Sequence, residues 1–225
     1  MRTAQIIYNP AAGRFPVVPS IPSAERALRT AGWDVDSAET RSGEHATELA
    51  TSAAAKGIDA IFAVGGDGTI GQIASGLVGT KTALGILPAG TANVWGKELG
   101  MQPYSWIARN ALEENAKLLA EAPIYAVDVG VCNQQPFLMW AGLGLDALSV
   151  QKAEPRFRLE KFFTASEYAA SILLTAATWR GVSLRIWADG EEIEGHYILA
   201  EGNNIRHDMG GLTNLSPDAM LDDGI

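Results

Sequence analysis

Apolar and polar positions along this chain fall into two regimes. Through residue 99, short apolar runs take turns with stretches of helical spacing. The runs at 4–8, 33–37, 60–64 and 83–87 predict strands, and the stretches at 23–31, 43–55, 70–77 and 91–99 predict helices. Ser23 gives a helix start signal and Gly32 a stop. Alternation of this kind builds βαβ units, and so an α/β fold with a doubly wound parallel sheet. A more polar helix is expected over 105–120, ending before Pro123. After it, short strand patterns take over at 124–131, 137–141, 182–188 and 192–200, with Ala188-Asp189-Gly190-Glu191 reading as a hairpin turn. The change of pattern places a boundary near Ala122-Pro123. It predicts an α/β domain over 1–122 and an antiparallel β-rich domain over 123–225.

One segment interrupts the second regime. Residues 162–179 carry a single charge, Glu167, and read as a helix. A stretch of about 18 residues is near the lower limit for a membrane span, but six of these are Ser, Thr or Glu, which argues against spanning. A helix buried against the β-rich domain and a helix beside a lipid cleft both fit the pattern. Lys152, Arg156, Arg158 and Lys161 precede it, a basic cluster suited to an anionic membrane surface. Glu154 and Glu160 dilute that cluster, so a solvated loop fits it equally.

Composition narrows the class. With 225 residues, 47% hydrophobic and 19% charged, the chain has ample material for a globular core. The single cysteine, Cys132, leaves no internal disulfide and no Cys-rich zinc site. A formal net charge of −9 argues against nucleic acid as a partner. A strand is expected within a few residues of Met1, with no secretory leader, so a cytoplasmic location is the simplest expectation.

The chemistry concentrates where apolar runs end. Val64-Gly65-Gly66-Asp67-Gly68-Thr69 follows a buried strand and opens a helix, an arrangement that binds phosphate through free N–H groups and the helix dipole. Glycines there are expected to allow positive φ and close approach of an anion. Asp67 is out of place in such a loop unless a divalent cation bridges it to phosphate, or unless it takes a proton from the attacking group. An N-cap carboxylate is the structural alternative. Gly66-Asp67-Gly68-Thr69-Ile70-Gly71 also satisfies the dinucleotide pattern G-x-G-x-x-G. That pattern needs a ribose-binding acid about 20 residues on, and none stands between Ile70 and Lys97. No Walker A sequence is present, since Gly96-Lys97 is followed by Glu98. A second apolar run ends in Pro88-Ala89-Gly90-Thr91-Ala92-Asn93, with Thr91 or Asn93 placed to cap the next helix. A third ends in Asn9-Pro10-Ala11-Ala12-Gly13-Arg14. In an open parallel sheet all three turns share the carboxyl edge and line one crevice.

The order of these motifs, N-P-x-x-G, G-G-D-G-T and P-x-G-T-x-N, resembles the catalytic domain of diacylglycerol kinase-type lipid kinases, with their sphingosine kinase and bacterial soluble lipid kinase relatives. The resemblance continues through Ala126-Val127-Asp128-Val129-Gly130, Ala141-Gly142-Leu143-Gly144-Leu145-Asp146, Glu201-Gly202-Asn203-Asn204 and 217–225, covering essentially the whole chain. It implies ATP and Mg²⁺ as cofactors, a lipid acceptor at a membrane surface and a catalytic role for Asp67, joined by Asp128 in a metal-linked network. It also implies nucleotide contacts from Asn9, Gly13, Arg14, Thr40, Gly65, Gly66, Gly68, Thr69, Gly90, Thr91 and Asn93, and a cation held by Asp222 and Asp223. Capping explains Thr91 and Asn93 as well. A surface arginine explains Arg14, and a solvated turn explains the terminal aspartates. NAD kinases share the G-G-D-G-T turn, so an NAD kinase-like enzyme remains an alternative, as does a non-catalytic nucleotide-binding protein. Family members continue past Asp222-Asp223-Gly224-Ile225 with further strands and a D-G-E segment. The β-rich half is therefore expected to be incomplete, and Asp189-Gly190-Glu191 stands in a different place. Oligomeric state is left open, a homodimer included.

Overall fold

The computed structural model describes residues 1–145, 147–148, 178–207 and 216–222. The chain runs through β1 (Arg2–Tyr8), α1 (Ile21–Thr30), β2 (Trp33–Glu39), α2 (Gly43–Ala55), β3 (Ala60–Gly65), α3 (Asp67–Ser75), β4 (Ala83–Pro88), α4 (Val94–Glu98) and α5 (Ala111–Glu121). The strands form one sheet in the order β2-β1-β3-β4, and every pairing is parallel. Each residue of β3 is buried, as expected for a strand covered on both faces. Ile6, Phe62, Val64 and Leu87 pack with Ala24 and Leu28 of α1 and with Leu112 and Ala116 of α5. The alternate residues Ile7, Ile61 and Ile86 are also buried and face the side carrying α2 and α3, which pack on each other and on β1 and β3. Each fully buried aliphatic side chain contributes about 1.5–3 kcal/mol, so the strand ends rest on a stiff platform.

Helix starts depart from the sequence reading for local reasons. α1 begins before Ser23, because Pro22 is tolerated in a first turn. The helix expected over 70–77 starts at Asp67: Gly66 is its extended N-cap and Ile70 N–H bonds the Gly66 carbonyl. The helix expected over 91–99 shrinks to α4, since Asn93 is left-handed (φ 53°, ψ 48°) and ends the preceding turn. The helix expected over 105–120 begins only at Ala111. Its buried stripe of Ala111, Leu112, Asn115, Ala116 and Ala120 starts there, whereas Trp106 and Ile107 stay exposed.

The later strands are antiparallel: β5 (Gly130–Cys132), β6 (Gln135–Phe137), β7 (Trp140–Gly144), β8 (Val182–Ala188), β9 (Glu191–Tyr197) and β10 (Leu199–Asn203). They pair as β5 with β6, β8 with β9 and β7 with β10. Both hairpin turns have two residues at positive φ, Asn133-Gln134 and Asp189-Gly190, as a type I′ turn requires. The strand expected over 124–131 is reduced to β5, because 124–129 pair with no described strand. The one expected over 137–141 is split between β6 and β7. The one expected over 192–200 breaks at Ile198, where the chain leaves β8 and pairs with β7. By contacts the chain groups into two units, Met1–Met139 with Asn204–Ile225, and Trp140–Asn203. Most of the helix expected over 162–179, the basic cluster before it, Asp146 and Asp223 lie outside the described residues. Among the described residues no helix is long and apolar enough to cross a membrane.

Candidate active site

The chain goes from β1 to β2 on one side and then crosses to β3 on the other, so β1 and β3 flank the switch point of the sheet. Tyr8 is in register with Val64 and Gly65 with Pro88. The three polar turns therefore leave the same edge side by side, and named contacts lock them together. Asn9 N–H donates to the Val64 carbonyl at 3.0 Å. The Asn9 side chain donates through Nδ2 to Thr69 Oγ1 at 3.1 Å and accepts through Oδ1 from Ala11 N–H at 2.9 Å. Ala89 N–H donates to the Gly65 carbonyl at 2.8 Å. Gly13 is buried at φ +60°, and a Cβ there would run into the Ala89 carbonyl. A Cβ on Gly90 would run into the Gly66 backbone, and one on Gly66 would come within 3.1 Å of Gly90 Cα.

Asn93 holds its turn from inside rather than capping α4. It is 3% exposed; its Oδ1 accepts from Gly90 N–H at 2.7 Å and its Nδ2 donates to the Gly90 carbonyl at 3.0 Å. Asn tolerates the left-handed conformation because its short polar side chain bonds locally. Asp67 is the first residue of α3, and its Oδ1 accepts from Trp95 N–H at 3.1 Å, which ties the turn after β3 to the start of α4. The other Asp67 oxygen has no hydrogen bond among the described residues. Helix geometry leaves the N–H groups of Asp67, Gly68 and Thr69 without intrahelical partners. Gly68 is exposed, and nothing lies within 4 Å of where its Cβ would be. These features make a cradle for an anion with a carboxylate at its rim, which suits a nucleotide phosphate with a divalent cation.

The remaining expected residues are placed as follows. Thr40 is buried at the end of β2, and its N–H donates to the Tyr8 carbonyl at 2.9 Å, so it joins the same edge. Arg14 is half-buried beside Gly13, and Thr91 is exposed. Asp128 lies against the segment that carries Asp222: its N–H donates to the Leu221 carbonyl at 2.7 Å. Among the described residues no group of three or more His, Cys, Asp or Glu is placed to hold a metal. An open groove of about 630 Å³ along α2 and α3, lined by Thr47, Thr51, Gln72 and Gln135, contains none of the motif residues.

The diacylglycerol kinase catalytic domain family matches residues 3–132. The chain belongs to this family. The kinase is 28% identical to a diacylglycerol kinase of Bacillus subtilis (strain 168), over 100% of this chain and 72% of that one. It is also 28% identical to a diacylglycerol kinase of Staphylococcus aureus (strain MRSA252), over 99% of this chain and 68% of that one. Two crystal structures from Bacillus anthracis str. Sterne share the fold. One superposes with a TM-score of 0.78 at 25% identity, over 99% of this chain and 72% of that chain. The other, a diacylglycerol kinase, has a TM-score of 0.73 at 24% identity, over 99% of this chain and 70% of that chain. The family is one of lipid kinases, and the expectation of a doubly wound parallel sheet followed by antiparallel strands holds for this member.

Two parts of the kinase escaped the sequence reading. Asn204 stands in the Glu201-Gly202-Asn203-Asn204 motif, which gives it no role on its own. Glu98 gave no signal at all. Its side chain is 3% exposed and accepts from Arg206 Nε at 2.8 Å and His207 Nδ1 at 2.5 Å. Burial pushes the Glu98 carboxyl up, but the bonds from His207 and Arg206 outweigh it and hold it below the ordinary glutamate value of 4.5. A carboxylate held low contributes stability that is present above its unfolded value and lost as pH falls through the folded one. The urea midpoint should therefore fall as pH drops below 4.5. Glu98→Gln should lower the midpoint at pH 7 and lose that part of the acid dependence. Parallel pH profiles for the two proteins would count against the ion pair as its source.

Proposed function

We infer that this kinase transfers the γ-phosphoryl group of ATP to the hydroxyl of diacylglycerol or a related lipid at a membrane surface, from the cytoplasmic side. The observation that carries this reading is the locking of three turns around Asp67, with one carboxylate oxygen spent on the Trp95 amide and Gly68 open beside it. In this reading residues 1–122 hold the nucleotide and 123–225 present the acceptor. Phosphate oxygens take the free N–H groups of Asp67, Gly68 and Thr69, and the Asn9–Thr69 bond fixes the first turn of α3 in place. Arg14, Thr40, Gly13, Gly65, Gly66, Gly90, Thr91 and Asn93 shape the nucleotide side. Asp67 with Asp128 would hold Mg²⁺, which would supply positive charge against the phosphates, and Asp222 with Asp223 would hold a second cation. The lipid hydroxyl oxygen bonds to the γ-phosphorus as the bond to the β–γ bridging oxygen breaks. Asp67 takes the hydroxyl proton, leaving a lipid phosphomonoester and ADP. Positioning and electrostatics supply most of such a rate enhancement.

The test is transfer of label from γ-labelled Mg-ATP to diacylglycerol in anionic vesicles. Label in the lipid fraction is expected. Phosphorylation of NAD with none in any lipid would reject the acceptor, and ATP binding without turnover would make the protein a non-catalytic nucleotide binder.

A further inference from the structure

We propose that Asn204 is a positioning residue for Asp128, holding its carboxylate where the phosphoryl-transfer reading requires it; the inference rests on that reading for what Asp128 does. Among the described residues, 124–129 have no strand ladder, and Ile124, Tyr125 and Val127 are exposed. A backbone without a ladder is held by discrete bonds. Asp128 has one at each of its polar main-chain groups. Its N–H donates to the Leu221 carbonyl at 2.7 Å. Its carbonyl accepts from Asn204 Nδ2 at 2.7 Å.

The donor is rigid. Asn204 is 1% exposed. The second proton of its amide goes to the Leu138 carbonyl at 3.0 Å, and its own N–H donates to the Met139 carbonyl at 2.7 Å. Both partners of Nδ2 are carbonyl oxygens, so only the nitrogen can face them and the amide orientation is fixed. Oδ1 is buried and has no hydrogen-bond partner among the described residues. A buried acceptor left unpaired is a cost, and an apolar residue of similar size would avoid it. What the amide supplies instead is a pair of donors that join the Asp128 segment to Leu138, just after β6. Asn204 thus acts on Asp128 through its main chain.

The experiment is a double-mutant cycle of Asn204→Ala and Asp128→Ala, read as lipid phosphorylation with Mg-ATP and as amide hydrogen exchange. Asn204→Ala is expected to lower kcat about 10- to 100-fold, with KM for ATP within about twofold, as a misplaced reacting group does. In the Asp128→Ala background the same change should cost less than about twofold, because the residue it positions is gone. Exchange at Asp128 and Val129 should rise while β1, β3 and β4 stay protected. If Asn204→Ala does not fold, Asn204→Ser serves in the same cycle. Equal losses in both backgrounds, or unchanged exchange at Asp128, would overturn the proposal. Full turnover by Asp128→Ala would remove the role of Asp128 and the proposal with it, leaving the lipid kinase reading intact. If the wild type phosphorylates no lipid, that reading fails, and the exchange result alone judges the anchor.

Discussion

Asp67→Asn is expected to reduce phosphoryl transfer by about 10²-fold or more, the scale on which loss of a general base or a metal-holding charge acts, while the protein stays folded. Asp67 has two jobs that this substitution separates. One oxygen accepts from Trp95 N–H and fixes the start of α4; an asparagine keeps an oxygen at that place. What is lost is the negative charge. The melting temperature should therefore stay near the wild-type value. Asp67→Ala, which removes both oxygens, should lower the melting temperature as well as the rate. Affinity for ATP without metal should hold or rise in Asp67→Asn, since a carboxylate near phosphate repels it. Steady-state kinetics with diacylglycerol vesicles, calorimetry and ATP titration are the measurements. Near wild-type turnover by the asparagine variant would remove Asp67 from the chemistry and leave it a bracket for α4.

Much of the site was legible because it is written in local signals. A buried apolar run that ends in Gly, Pro or Asn marks the carboxyl end of a strand, and strand–helix alternation implies a parallel sheet that gathers such ends on one edge. Asn9, Gly66 and Gly90 do meet there. The reason expected for the glycines was only partly right. Gly65, Gly66, Gly68 and Gly90 are not at positive φ; Gly13 is. Gly66 and Gly90 are glycines because two turns touch backbone to backbone, a contact that depends on β3 and β4 being neighbours. Local pattern does not specify neighbours. The same limit explains Asn93, which looked like a helix cap and instead clamps Gly90. It explains residues 124–129 too: their apolar pattern suits a strand, but strand propensity is realised only against a partner, and no described strand pairs with them. Glu98 and Asn204 were invisible for the opposite reason. Their partners lie far along the chain, 108 residues from Glu98 to Arg206 and 76 from Asp128 to Asn204, beyond any window of local pattern.

A comparison of Gly13→Ala with Gly68→Ala should separate the glycines that build the crevice from the one proposed to meet the nucleotide. Gly13 combines two demands. Its φ of +60° is unfavourable for any residue with a side chain, and its Cβ would meet the Ala89 carbonyl, which β4 and the Ala89–Gly65 bond hold in place. A left-handed non-glycine residue costs about 1–3 kcal/mol, and overpacking against fixed atoms about as much again. Gly13→Ala should therefore lose about 2–6 kcal/mol, a large share of the ordinary stability of a domain. Gly68 is the reverse case. It lies in the first turn of α3, exposed, with open space where a Cβ would go. Alanine there should leave the fold unharmed or stabilise it by up to about 1 kcal/mol, because alanine suits a helix better than glycine. If phosphate binds at the free N–H groups of this turn as proposed, the methyl group crowds its approach and affinity for Mg-ATP should fall. The paired readout is chemical denaturation and calorimetric titration on both variants. A Gly68→Ala protein that is as stable as wild type and binds Mg-ATP unchanged would place the nucleotide away from the start of α3. A Gly13→Ala protein of wild-type stability would mean that the turns after β1 and β4 are not packed as tightly as the Ala89 contact requires.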